Sequence, residues 1–188
     1  MALIGWSASS RVVPGASAAT TSFTSTADAL VTSSSPNKNQ GRSAKLQVRA
    51  PSPEYRSYLR FQVAGLPSPA SEARLRLYVT DASPVGGTIF AISGDWSETA
   101  ITWSNKPSLG AQLGTIGAVA VNTWVEVPIA PAGFSADGMY SLAITSSSTN
   151  SVVYGSRETA NPPQLVLTTG APSPTVTPTP PPTPTPTP

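Results

Sequence analysis

The chain has 188 residues, eleven basic and nine acidic, with a net charge of +2 and neither histidine nor cysteine. With no imidazole and no thiol it can hold no Ser-His-Asp triad, no thiolate nucleophile and no zinc site built on Cys and His. A metal could be held only by carboxylates, amides and carbonyls, and no stretch approaches the ~20 consecutive apolar residues of a membrane-spanning helix.

Residues 1–22 are rich in Ser and Ala and weakly patterned. They read as an N-terminal extension or as a segment that docks on a neighbour. The apolar run within Met1 to Trp6 is short and no basic region precedes it, so it is not a secretory signal, and an export signal is expected elsewhere.

Residues 23–169 carry the domain. Leu46 and Val48 alternate with Lys45, Gln47 and Arg49; Leu59, Phe61 and Val63 alternate with Tyr58, Arg60 and Gln62; Leu75, Leu77 and Val79 alternate with Arg74, Arg76 and Tyr78. Further short runs are expected at 88–92, 113–121, 124–129, 140–145, 152–154 and 165–168. Alternation at period two implies one buried and one wet face, as in antiparallel sheets. About ten short strands between Gly, Pro and Ser turns predict an all-β, jelly-roll-like antiparallel sandwich. No segment sustains a 3.6-residue period, so helix is limited to a turn or two.

From Gly170 the composition changes, and beyond Val176 Thr and Pro dominate to Pro188. Residues 170–188 read as a polyproline-type linker. At ~3.1 Å per residue such a tract spans roughly 50 Å, and its threonines are candidates for O-glycans. A tract of this kind is common in exported proteins, which points to the extracellular space or the cell surface.

Several local patterns together resemble the DNRLRE-type module, a β-sandwich of secreted proteins associated with carbohydrate binding, alginate-type anionic polysaccharide included. They are Thr26–Val31 with Asn37-Lys38-Asn39-Gln40-Gly41, Arg56–Phe61, Ala73–Tyr78, Trp96-Ser97-Glu98 with Ile101–Pro107, Trp124–Val127, Ser156-Arg157-Glu158 and Pro163–Leu165. The resemblance implies an appended, non-catalytic module. It breaks after Val127, where Pro128-Ile129-Ala130 stand in place of the Asp-Val-Thr usual in that type.

Three constellations could carry function. Lys45, Arg49, Arg60, Arg74 and Arg76 fall on the polar side of their strands with Tyr58 and Tyr78. If those strands share a sheet, they form a basic face with flat rings. Guanidinium forks match uronate carboxylates, and tyrosine faces take sugar rings. The plainer alternative is a solvated sheet face whose basic residues discourage edge pairing. Nucleic acid is not expected as a partner at so small a net charge.

Trp96 and Trp103, with Asp95, Glu98 and Asn105 close by, could line a sugar cleft; the alternative is a long loop anchored by its own side chains. The Asp95–Glu98 pair is the only one that stands out for carboxylate catalysis, and an enzyme is not expected. Asp28, Asn37 and Asn39 supply oxygens close in sequence, a candidate Ca2+ site, with an Asx-type turn as the alternative. Ser156-Arg157-Glu158 reads as a structural ion pair. The leading expectation is a module that binds a polysaccharide. The rival is a subunit of an extracellular fibre or surface layer, in which identical copies exchange an N-terminal strand.

Overall fold

The computed structural model describes residues 18–170; most of the expected extension (1–17) and most of the Pro/Thr tail (171–188) lie outside the described residues. Ten strands follow in chain order: β1 (Ala19–Thr32), β2 (Lys45–Val48), β3 (Tyr55–Val63), β4 (Ala70–Asp81), β5 (Gly87–Ile92), β6 (Leu109–Ile116), β7 (Thr123–Ile129), β8 (Gly138–Thr145), β9 (Val152–Gly155) and β10 (Gln164–Thr169). The expected all-β class and strand number hold. The one helical element among the described residues is a 3-10 turn, Pro131–Gly133.

All pairings are antiparallel, and β1 belongs to two sheets. Its first half, Ala19 to Thr24, pairs with β10. After a register shift between Ser25 and Ala27, its second half pairs with β3 as far as Thr32. The first sheet runs β1–β10–β4–β7, and β9 joins β4 at Val79 and Asp81 with β2 beside it. The second sheet runs β1–β3–β8–β5–β6.

Between the sheets lies the main core, in which Leu75, Leu77 and Val79 of the first sheet meet Leu59, Phe61 and Ile144 of the second. Each fully buried Leu or Phe side chain contributes about 1.5–3 kcal/mol over its exposed state. All of these but Ile144 are residues that the period-two reading turned inward.

Two boundaries differ from expectation. Ala19 to Ser22, assigned to the extension, pair with Thr169 to Val166 of β10. That half of β1 is Thr- and Ser-rich and mostly exposed, so it carries no apolar signal. Strand β6 begins four residues before the expected run, at Leu109, and ends at Ile116; beyond it Val119 makes only an isolated bridge to Ser83. As the last strand of its sheet, β6 is exposed or half-buried everywhere but Ile116 and shows no clean alternation.

The second sheet also departs from the one-wet-face rule. Its outer side carries a second apolar cluster of Ala27, Ala29, Val31, Tyr58 and Ala143, roofed by Trp96 and Ile101 from the loop between β5 and β6. Covered on both faces, the end of β1 is buried at every residue from Ala27 to Thr32. Three alanines on that face leave room for the loop's indole to lie against the strands.

Candidate functional site

Among the described residues, the outer face of the first sheet is open along β4 and β7. Strand β4 turns Arg74, Arg76 and Tyr78 outward between buried Leu75, Leu77 and Val79. Register places Trp124 of β7 opposite Tyr78, and sets Arg76 between Glu126 on β7 and Gln164 on β10. The Tyr78 and Trp124 rings meet edge to face, centroids 5.4 Å apart at 68°. Arg76 lies over the indole, its guanidinium carbon 4.2 Å from the ring centroid. Arg76 Nη1 donates to Gln164 Oε1 at 2.9 Å. Its Nε is 3.1 Å from Glu126 Oε1, but that N–H is not aligned with the carboxylate, so the contact is an ion pair without a hydrogen bond.

Arg74 meets Glu72 at 3.4 Å, with side chains 47% and 60% exposed. A pair so solvated is worth about 0–1 kcal/mol and exchanges partners readily. This face therefore offers two half-buried aromatic rings in edge-to-face contact and two guanidinium groups one strand alternation apart. Trp124 is the residue that sequence reasoning missed as a site candidate. Its signal was present: Trp124, Glu126 and Pro128 alternate with Val125, Val127 and Ile129.

The outer face of the second sheet is spent on its own loop. Tyr58, expected on a wet face, is 0% exposed because loop 93–108 covers it. Its ring meets Trp96 edge to face at 6.1 Å, and its hydroxyl donates to the Pro107 carbonyl at 3.2 Å. Trp96 is 8% exposed; its Nε1–H donates to Ser141 Oγ at 3.1 Å. Arg60 stacks over that indole at 4.6 Å and donates to the Trp96 carbonyl. Arg60 thus lies on the opposite sheet from Arg74 and Arg76, so the single basic face that would unite them does not form.

Trp103 is half-buried, with Lys106 Nζ 3.8 Å and the Arg56 guanidinium 5.2 Å from its ring centroid. Burial and the neighbouring Arg56 charge hold the Lys106 ammonium below its usual range. A groove of about 390 Å³ remains beside the loop, lined by Arg60, Ser93, Asp95, Met139 and Ser141. It presents no aromatic face.

Lys45 sits exposed on β2, and Arg49 just beyond that strand is half-buried with its Nε unpartnered. Lys45 is on the same sheet as Tyr78 and Trp124 but two strands from β4, beyond β9, and Arg49 bridges to Tyr55 of β3. Asn37 and Asn39 are loop fasteners: Asn37 Oδ1 accepts from Ser104 Oγ at 2.8 Å, and Asn39 Nδ2 donates to the Glu98 and Ile101 carbonyls at 2.8 and 2.7 Å. Their side chains close turns and clasp the loop, so of the Asp28, Asn37, Asn39 set only Asp28 keeps an oxygen free.

Asp28 anchors a polar knot at the edge of β1 that does not face β3. Glu98 Oε1 accepts the Asp28 N–H at 2.9 Å, and Asp28 Oδ2 accepts the Arg157 N–H at 2.7 Å. Arg157 Nε and Nη2 donate to Glu98 at 2.6 and 3.1 Å, and Nε lies 3.3 Å from Glu158. Burial lifts the Asp28 carboxyl to about 7, helped by the negative charges of Glu158 and Glu98 and opposed by the Arg157 N–H. The Arg157–Glu158 pair is structural in this sense: it ties the β9–β10 loop to β1 and to loop 93–108. Glu98 is committed to that knot, and Asp95 has no such tie.

Chemically, the open face can stack flat rings and pair with carboxylates or hydroxyls. A family model described as carbohydrate-binding module family 96 matches residues 19–169. No curated protein matches the chain.

Proposed function

The chain belongs to carbohydrate-binding module family 96, and we propose that it acts without catalysis, laying a polysaccharide across the outer face of its β1–β10–β4–β7 sheet. The observation that carries this reading is the Tyr78–Trp124 pair on an open face with Arg76 stacked on the indole. Sugar rings present an apolar C–H face, and rigid aromatic rings offer contact area at small conformational cost. The guanidinium already stacked on Trp124 and bonded to Gln164 is pre-organised, which lowers the cost of binding.

For the ligand we favour a uronic-acid polymer. Arg74 and Arg76 are each held by one exposed glutamate, and a solvated ion pair costs about 0–1 kcal/mol to exchange for a ligand carboxylate. The DNRLRE-type resemblance of Ala73–Tyr78 supports the same choice. The groove beside Arg60 is the weaker candidate, since the aromatic ring behind it, Trp96, is buried and covered. The Pro/Thr-rich run after Gly170 favours an extracellular module tethered to a partner domain.

Calorimetric titration with alginate, pectin and a neutral glucan tests this reading. Alginate or pectin is expected to bind, with affinity falling as salt is raised, and Trp124→Ala is expected to weaken it at least tenfold. Tight binding of the neutral glucan alone would overturn the uronate choice. Undiminished binding by Trp124→Ala would overturn the face.

A further inference from the structure

We infer that Asp28, Glu98 and Glu158 form a binding site for a divalent cation that prefers hard oxygen ligands, calcium above all. The three carboxylates come from β1, from loop 93–108 and from the β9–β10 loop, and one oxygen of each lies within 4.8 Å of the others. Oxygens bound 2.3–2.6 Å from one calcium ion lie no more than about 5 Å apart, so the three carboxylates are near enough to share an ion after small side-chain adjustments.

A second observation points to a ligand. Asp28 is 1% exposed, and while its Oδ2 accepts the Arg157 N–H, its Oδ1 has no hydrogen-bond partner among the described residues. An orphaned carboxylate oxygen at that depth is costly and calls for a proton or a cation. The only basic side chain in the knot, Arg157, reaches Glu98 and Glu158 but makes no side-chain hydrogen bond to Asp28.

Charge agrees. Three ionised carboxylates against one guanidinium leave a charge of −2, an excess of negative charge that favours a divalent ion. The Arg157 side chain is 39% exposed and can withdraw to solvent as the ion enters, leaving its backbone N–H on Asp28 Oδ2. The surroundings hold the ligands in place. Gly41 packs against the Glu98 backbone so closely that a Cβ would overlap the Glu98 carbonyl. Ser156 Oγ donates to Glu158 Oε2 at 2.7 Å, fixing that carboxylate. Bound calcium would join three distant segments and clamp loop 93–108 onto the second sheet. The site is separate from the open face of the first sheet, so it stands or falls independently of the glycan reading.

The test is calorimetric titration of CaCl2 and MgCl2 into the full chain stripped with chelator, with thermal unfolding measured in each state. One calcium is expected to bind, more tightly than magnesium, and to raise the midpoint by several degrees at saturating concentration. Glu158→Gln, which keeps the buried Asp28 intact, should weaken binding at least tenfold. Arg157→Met should tighten it by removing the competing guanidinium. No heat at millimolar calcium together with an unchanged midpoint would overturn the inference. So would binding that Glu158→Gln and Asp28→Asn both leave untouched, because the ion would then sit elsewhere.

Discussion

The outer faces of the two sheets are built from the same residue types and end in opposite states. On the first, Tyr78 and Trp124 meet edge to face with Arg76 on the indole, and all three keep solvent-accessible surface. On the second, Tyr58 and Trp96 meet edge to face with Arg60 on the indole, and both rings are buried. The difference lies in what covers them. The β5–β6 connection folds back over the second sheet, where Ala27, Ala29 and Ala143 admit it, and among the described residues no loop buries the corresponding rings of the first. An aromatic–arginine cluster is therefore a clasp where its own chain covers it and, on the function proposed above, a binding platform where it stays open.

Mutations on the two faces should separate these roles. Trp96→Ala should have the largest effect on stability: a buried indole lost with its Ser141 bond costs about 3–5 kcal/mol by urea unfolding. Glycan affinity of the fraction that stays folded should not change. Trp124→Ala should do the reverse, leaving the unfolding midpoint within a few degrees while glycan affinity falls at least tenfold, about 1.4 kcal/mol or more. If both substitutions destabilise equally and neither alters binding, the distinction between the faces fails.

Arg76→Met sharpens the comparison within the open face. The methionine keeps an apolar stem over Trp124, so binding of a neutral glycan should be nearly unchanged. Uronate binding should drop about three- to tenfold and lose most of its salt dependence, as read by calorimetry at two ionic strengths.

The smallest effect belongs to a site away from both faces. Asp137 accepts the N–H groups of Leu66 and Gly65 at 2.9 and 2.7 Å, which holds its carboxyl below the usual range. A depressed carboxyl stabilises the fold above its ordinary value near 3.9, and that contribution is lost as pH falls through the lower folded value. The gap in melting temperature between the native chain and Asp137→Asn should thus be open at pH 6 and close toward pH 2. Glycan affinity at pH 7 should be the same for both.

Period two was enough to place Leu75, Leu77 and Val79 inside and Arg74, Arg76 and Tyr78 outside, because the first sheet is wet on one face. The same rule put Tyr58 outside, and there it failed, since no local pattern announces a loop that returns from 35 residues or more downstream. The anchoring of Trp96 and Trp103 was legible as one of two alternatives; Trp96 is buried in a loop that Asn39 and Tyr58 hold down, while Trp103 keeps part of its surface exposed. Trp124 was visible in its strand, but its importance depends on register: only the pairing of Tyr78 with Trp124 brings the rings together. The acidic knot was hidden for a similar reason. Asp28, Glu98 and Glu158 are far apart in the chain, and the oxygens nearest Asp28 in sequence, those of Asn37 and Asn39, turn to the loop instead.

The central claim, that the first sheet binds and the second only clasps, is most directly tested by following indole N–H resonances during titration with alginate oligosaccharides. The chain has four tryptophans, so few signals need assignment. The account predicts that the Trp124 indole N–H shifts in proportion to saturation while that of Trp96, donating to Ser141, stays in place. A shift at Trp96 with Trp124 unmoved would contradict it and move the binding site to the loop.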